Sequence, residues 1–184
     1  MKLLITQSLR CAPIQYGNTM IEIMISLIVL SLGSLSAAGL LIVSKSLNHE
    51  AQQNLVASFV ANDIIEKMRN NSGSLANYVG TINGSVSTTE PAPVCSAAAP
   101  CTISQMATHD LWLWQQMLNG ASVQIGGANA TRLVQATGCI TNNAGQVQVT
   151  IAWFGSMQTA DANVVASCGT AGVNRRQLVI NTFI

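Results

Sequence analysis

Between Glu22 and Lys45 the sequence carries no charged residue. The core of that stretch, Ile23 to Val43, is 21 residues long. As a helix it would measure about 32 Å at 1.5 Å per residue, against a bilayer hydrocarbon layer about 30 Å thick. The segment is therefore long enough to cross a membrane once. Lys2 and Arg10 precede it and no acidic residue occurs before Glu22, so the positive-inside bias places the N-terminus in the cytoplasm and the bulk of the chain on the far side. Only 8% of the 184 residues are charged, whereas soluble domains average about 25%. The net charge of +1 supplies no field to gather phosphates, and no nucleic-acid partner is expected.

A basic N-terminus followed by an apolar run also describes a secretory signal peptide. The run here exceeds the 7 to 15 residues of a typical signal core, and no clear small-residue cleavage pattern separates it from the polar helix beyond. Glu22 stands just inside the apolar start. An ionised carboxylate in lipid is costly, so Glu22 either lies in the headgroup layer or finds a partner.

Gly17-Asn18-Thr19-Met20-Ile21-Glu22, followed by a long apolar helix, resembles the processing and assembly signature of type IV pilins and pseudopilins. The resemblance implies a prepilin peptidase that cuts between Gly17 and Asn18, removes residues 1–17 as a leader and N-methylates Asn18. Glu22 becomes the fifth mature residue, and its carboxylate meets the N-terminal amine of a neighbouring subunit during assembly. Asn18 departs from the phenylalanine or methionine usual at the first mature position.

Past Ser44 the helix is expected to continue to about Asn70, giving one helix over 18–70 with its transmembrane half at about 21–43. Leu47, Ala51, Leu55, Phe59, Val60, Ile64 and Met68 form a candidate apolar face, and Asn70-Asn71-Ser72-Gly73 a stop. The head, 71–184, opens on a Gly-, Ser- and Pro-rich loop over Gly73–Pro100. Ser104 is a candidate cap for a helix over Gln105–Leu118 with Ala107, Leu111, Trp114 and Leu118 on one face. Val147, Val149, Ile151 and Trp153 then alternate with polar or small residues as a half-buried strand. Val123–Ile125, Arg132–Ile140 and Gln177–Ile184 are further strand candidates. The expected fold class is α+β, pilin-like: a long N-terminal helix packed on a small antiparallel sheet.

Cys11 falls in the leader. Cys95, Cys101, Cys139 and Cys168 remain, an even number facing an oxidising compartment, which reads as disulfides. Three pairings are open, the simplest joining Cys95 to Cys101 and Cys139 to Cys168. A zinc site is the rival, but CxxC pairs are absent and His49 and His109 lack ligand spacing, so no metal or other cofactor is expected. Glu90, Asp110, Arg132 and Asp161 are the only charges between Asn71 and Asn174. That is too sparse for an acid/base pair, and His109-Asp110 beside Ser104 or Thr108 is only adjacency in sequence. The expectation is a non-enzyme. Arg175-Arg176 is a candidate contact surface, but two basic residues at a strand start are usually just solvated, and that is the expectation.

Asp110-Leu111-Trp112-Leu113-Trp114-Gln115-Gln116 after Cys101, Val149 to Trp153, and Arg175-Arg176-Gln177-Leu178 resemble the PilV-type minor pilins, or type IV pilus modification proteins. Implied partners are the prepilin peptidase, other minor pilins, the major pilin, the inner-membrane assembly machinery and, before assembly, membrane lipid. Implied locations are the bacterial inner membrane and then the pilus. A type II secretion pseudopilin shares the N-terminal chemistry, and an anchored binding module that never polymerises shares the hydropathy.

Overall fold

The computed structural model describes residues 19–84, 89–96, 98–120, 124–125, 128–129, 133–159 and 164–184. Cys11, Gly17 and Asn18 lie outside the described residues. The chain divides into two units at Val43/Ser44, and helix α1, Met20–Asn70, contributes to both.

In the first unit the helix from Met20 to Val43 is exposed along its whole length. It contains no proline, and its polar side chains are short. Ser26, Ser31, Ser34 and Ser36 each donate to a carbonyl three or four residues back, at 2.7–3.0 Å. The hydroxyls are thus satisfied within the helix, as an apolar surrounding requires.

In the second unit the part of α1 beyond Ser44 buries Gln53, Ala57, Val60, Ala61, Ile64, Ile65 and Met68. Val60, Ile64 and Met68 are on the expected apolar face, but Leu47, Ala51, Leu55 and Phe59 are exposed. The reason is angular. Leu55 and Phe59 each stand two residues from Ala57, about 200° around the helix, so they fall on the side away from the face that Ala57, Val60, Ala61, Ile64 and Met68 bury.

The sheet runs β1-β4-β5-β6 and is antiparallel throughout: β1 is Gly80–Asn83, β4 Thr137–Asn143, β5 Gln146–Phe154 and β6 Arg175–Phe183. A separate two-stranded ribbon pairs β2, Gln124–Ile125, with β3, Ala128–Asn129. The predicted loop over 73–100 is corrected at its start, where a 3-10 helix, Ser72–Tyr78, leads into β1. Its mostly exposed edge residues carry no alternation for a sequence pattern to reveal. The strand expected at Arg132–Ile140 begins later, at Thr137. Leu133 and Ala136 are buried but precede the ladder. Ala144 and Gly145, at φ 52° and 89°, make the two-residue turn that joins β4 to β5, with both residues left-handed as such hairpins demand.

Helix α2, Ile103–Leu118, is capped by Thr102 in a reciprocal capping box with Gln105, not by Ser104. Of its expected face, Ala107, Trp114 and Leu118 are fully buried and Leu111 is half-buried against the core. The Trp114 ring packs against Gly138, where a Cβ would come within 2.2 Å of it. Its Nε1 donates to the Val60 carbonyl at 2.9 Å. One side chain therefore ties α2, α1 and β4 together.

β5 is buried on both faces over its second half. Val147, Val149, Ile151 and Trp153 face α1 and α2 in the main core, while Ala152 packs with Cys139, Cys168 and Val165 on the opposite side. The strand expected to be half-buried is covered by the segment that ends at Cys168.

Candidate functional site

Glu22 lies in the first turn of α1, which closes on Thr19: the Glu22 and Ile23 amides donate to the Thr19 carbonyl at 2.9 and 3.3 Å. A carboxylate there complements the positive end of the helix dipole. Among the described residues none bonds or pairs with the Glu22 side chain. Met20, Ile21, Ile23, Met24 and the apolar residues on to Val43 stand 47–80% exposed. An 18-residue window of the helix has mean hydropathy 2.2, enough to cross a membrane by length and composition. The arrangement offers a lone anionic group at the head of an apolar rod.

The second unit holds a polar clasp that the sequence did not reveal. Glu50, 8% exposed on α1, accepts from the Met157 amide at 3.1 Å, from Ser156 Oγ at 3.3 Å and from Arg176 Nε at 3.1 Å. Arg176 also donates to the Met157 carbonyl at 2.7 Å and to Thr159 Oγ1 at 2.6 Å. Gly155 leaves room for this, since a Cβ there would come within 2.6 Å of Glu50 Oε1. Arg175 is 1% exposed. Contrary to expectation, then, the arginine pair is enclosed: the extended start of β6 sends Arg175 beneath the loop carbonyls of Ala166 and Cys168 and Arg176 onto Glu50.

Burial alone would raise the Glu50 pKa, but the Met157 amide and then the charge of Arg176 outweigh it and hold the carboxyl below its ordinary 4.5. A carboxylate whose folded pKa is depressed stabilises the fold above its unfolded pKa, and loses that contribution as pH falls through the folded value. The head is therefore expected to weaken as pH drops below about 4.5. Glu50→Gln should cost roughly 1.5–3 kcal/mol at pH 7 and flatten that acid dependence. Urea unfolding midpoints at pH 7 and pH 3.5 check both; an unchanged acid slope in the variant would rule out the clasp as its source.

Asp110 and His109 do not form a common centre with Ser104. Asp110 Oδ2 accepts from the Tyr78 hydroxyl at 2.6 Å, and Asn71 Nδ2 reaches the same hydroxyl at 3.1 Å and the Ile103 carbonyl at 2.7 Å. Burial first, and then the bond to Asp110, push the Tyr78 phenol well above its ordinary 10.0. His109 Nε2 instead lies 3.0 Å from Glu90. These residues fasten the end of α1 and the 3-10 turn to α2.

Cys95 bonds Cys101, with Cα atoms 5.3 Å apart, and Cys139 bonds Cys168 at 6.0 Å. By loop entropy the wider closure, 29 residues, is worth roughly 3–4 kcal/mol and the narrower roughly 2.

A long N-terminal helix, a four-stranded antiparallel sheet and an apolar rod headed by one carboxylate together define a pilin-like α+β architecture. The family model described as Type IV pilin Tt1218 matches residues 43–112, the stretch from the end of the apolar rod through the 3-10 turn and β1 into α2. Over that stretch the chain is similar to type IV pilins. No curated protein and no solved structure matches it.

Proposed function

We propose that the chain is a minor pilin, a structural subunit stored in the bacterial inner membrane by its apolar helix and then drawn into a type IV pilus with the major pilin and other minor pilins. The observation that carries this is the exposed apolar helix with Glu22 in its first turn, followed by a stretch, residues 43–112, that a type IV pilin family model matches. A prepilin peptidase cuts between Gly17 and Asn18 on the cytoplasmic side, and Asn18 is methylated. In the membrane the rod is solvated by lipid. On assembly the lipid contacts are exchanged for helix contacts, and Glu22 leaves the headgroup layer to pair with a neighbouring N-terminal amine.

Gly17 admits the peptidase because it presents no side chain at the scissile bond. Gly17→Val should leave the leader attached, so that the chain in the membrane keeps the mass of the uncut form. A variant cut as efficiently as the native chain would overturn the assigned cleavage site.

A further inference from the structure

Where β1 ends beside the start of β4, the head holds a cavity of about 440 Å³, within the size range of small-molecule pockets. The ladder and a disulfide build its walls. Thr81 stands opposite Cys139 with Oγ1 3.8 Å from Sγ, which marks one face of the sheet. Asn83 and Thr137, opposite each other two residues along, share that face. The Cys139–Cys168 bond holds the following loop beside them, so that Thr170 joins the lining. Leu133 and Ala136, both buried, supply its apolar part.

Gln135 completes the lining. It is exposed and stands at φ 50°, left-handed backbone that glycine adopts without steric cost. Ala144, the other non-glycine residue at positive φ among those described, serves the β4–β5 turn. Strained positions of this kind cluster at ligand sites, and here the strain keeps an amide side chain at the cavity where the turn itself would accept glycine. The side chains of Asn83, Gln135, Thr137 and Thr170 bond to no described residue. Two amides and two hydroxyls around one concavity are thus available to a ligand.

We propose that this cavity binds a neutral sugar ring. None of its lining residues is charged, so a phosphate, a carboxylate or an ammonium would enter without a counter-charge. An apolar ligand would strip water from the amides and hydroxyls without replacing their hydrogen bonds. A sugar meets both conditions. Its hydroxyls donate and accept, as the amides and threonine hydroxyls of the lining do, and they radiate from one compact ring, whereas a peptide strand sends its donors and acceptors out along an extended line. Leu133 and Ala136 offer an apolar surface to the C–H face of the ring. The site lies within the head alone and holds whether or not the chain enters a filament.

The test is saturation-transfer NMR on the full chain in a detergent without a sugar headgroup. The probes are glucose, galactose, N-acetylglucosamine and N-acetylgalactosamine, each free and as its methyl glycoside, with N-acetylneuraminic acid and inorganic phosphate as charged controls. At least one neutral sugar should bind saturably with an affinity of about 1 mM, while both charged probes stay unbound. Equal binding of its methyl glycoside identifies the end of a larger glycan as the source, and binding of the free form alone identifies a free sugar. Gln135→Gly relieves the left-handed backbone, so it should melt no lower than the native chain and yet bind at least about fivefold more weakly, the loss of one hydrogen bond. Asn83→Ala should weaken binding to a similar degree. No saturable binding by any neutral sugar, phosphate binding as strong as the sugar's, or unchanged binding by Gln135→Gly would overturn the proposal.

Discussion

Glu22→Ala is expected to leave the chain cleaved and membrane-bound while lowering its share in sheared filaments by at least about tenfold, the equivalent of one charge-assisted hydrogen bond. The loss follows from where the carboxylate stands. It is the only charge in the helix from Met20 to Val43, it has no partner among the described residues, and the serines around it are satisfied within the helix. On the proposed function the wild-type carboxylate stays at the headgroup level in lipid and gains an amine in an assembly. Alanine removes the gain without altering the rod. Glu22→Gln separates charge from hydrogen bonding and should fall between the two. Quantitative immunoblots of membrane and sheared fractions read the effect, and normal incorporation of Glu22→Ala would remove this account of the carboxylate.

Trp114→Ala is expected to have the largest effect on the head, about 3–5 kcal/mol, a fifth or more of the roughly 5–15 kcal/mol stability of an ordinary domain. The indole is fully buried, fills the space above Gly138 and satisfies the Val60 carbonyl, so its loss opens a cavity where three elements meet. Trp114→Phe keeps most of the packing and should lose about 1 kcal/mol from the missing N–H donor, together with a smaller cavity. Urea unfolding of the full chain in detergent, followed by tryptophan fluorescence, gives both values. A Trp114→Ala shift no larger than that of Trp114→Phe would mean that the core collapses around the site and that the ring is not its keystone.

What the sequence made legible follows from the range of the forces involved. The rod of α1 was readable because hydropathy over 21 residues is a local property, and α2 because the spacing from Ala107 to Leu118 lies within one segment. The cap was displaced by two residues because Thr102 and Ser104 both carry a hydroxyl, and only the reciprocal bond to Gln105 chooses between them. The buried face of α1 was misread at Leu47, Leu55 and Phe59 because residue size suggested burial, whereas the buried face is the one that Ala57 and Ala61 share with Val60 and Ile64. β1 went unseen because an exposed edge strand of glycine, threonine and asparagine has the composition of a loop. The Glu50–Arg176 clasp joins residues 126 positions apart, and the enclosure of Arg175 depends on a loop laid across β6. No local pattern encodes either. Glu22 was found by a motif, but the motif says nothing about the serine hydroxyls that make the rod fit for lipid.

The central claim is that the apolar helix is kept on a processed subunit that enters a filament. Mass spectrometry of mechanically sheared surface filaments and of the inner-membrane fraction, searched for a peptide beginning at Asn18, tests it most directly. The account predicts that peptide in both fractions, carrying the added mass of one methyl group. An intact leader in both fractions would contradict it.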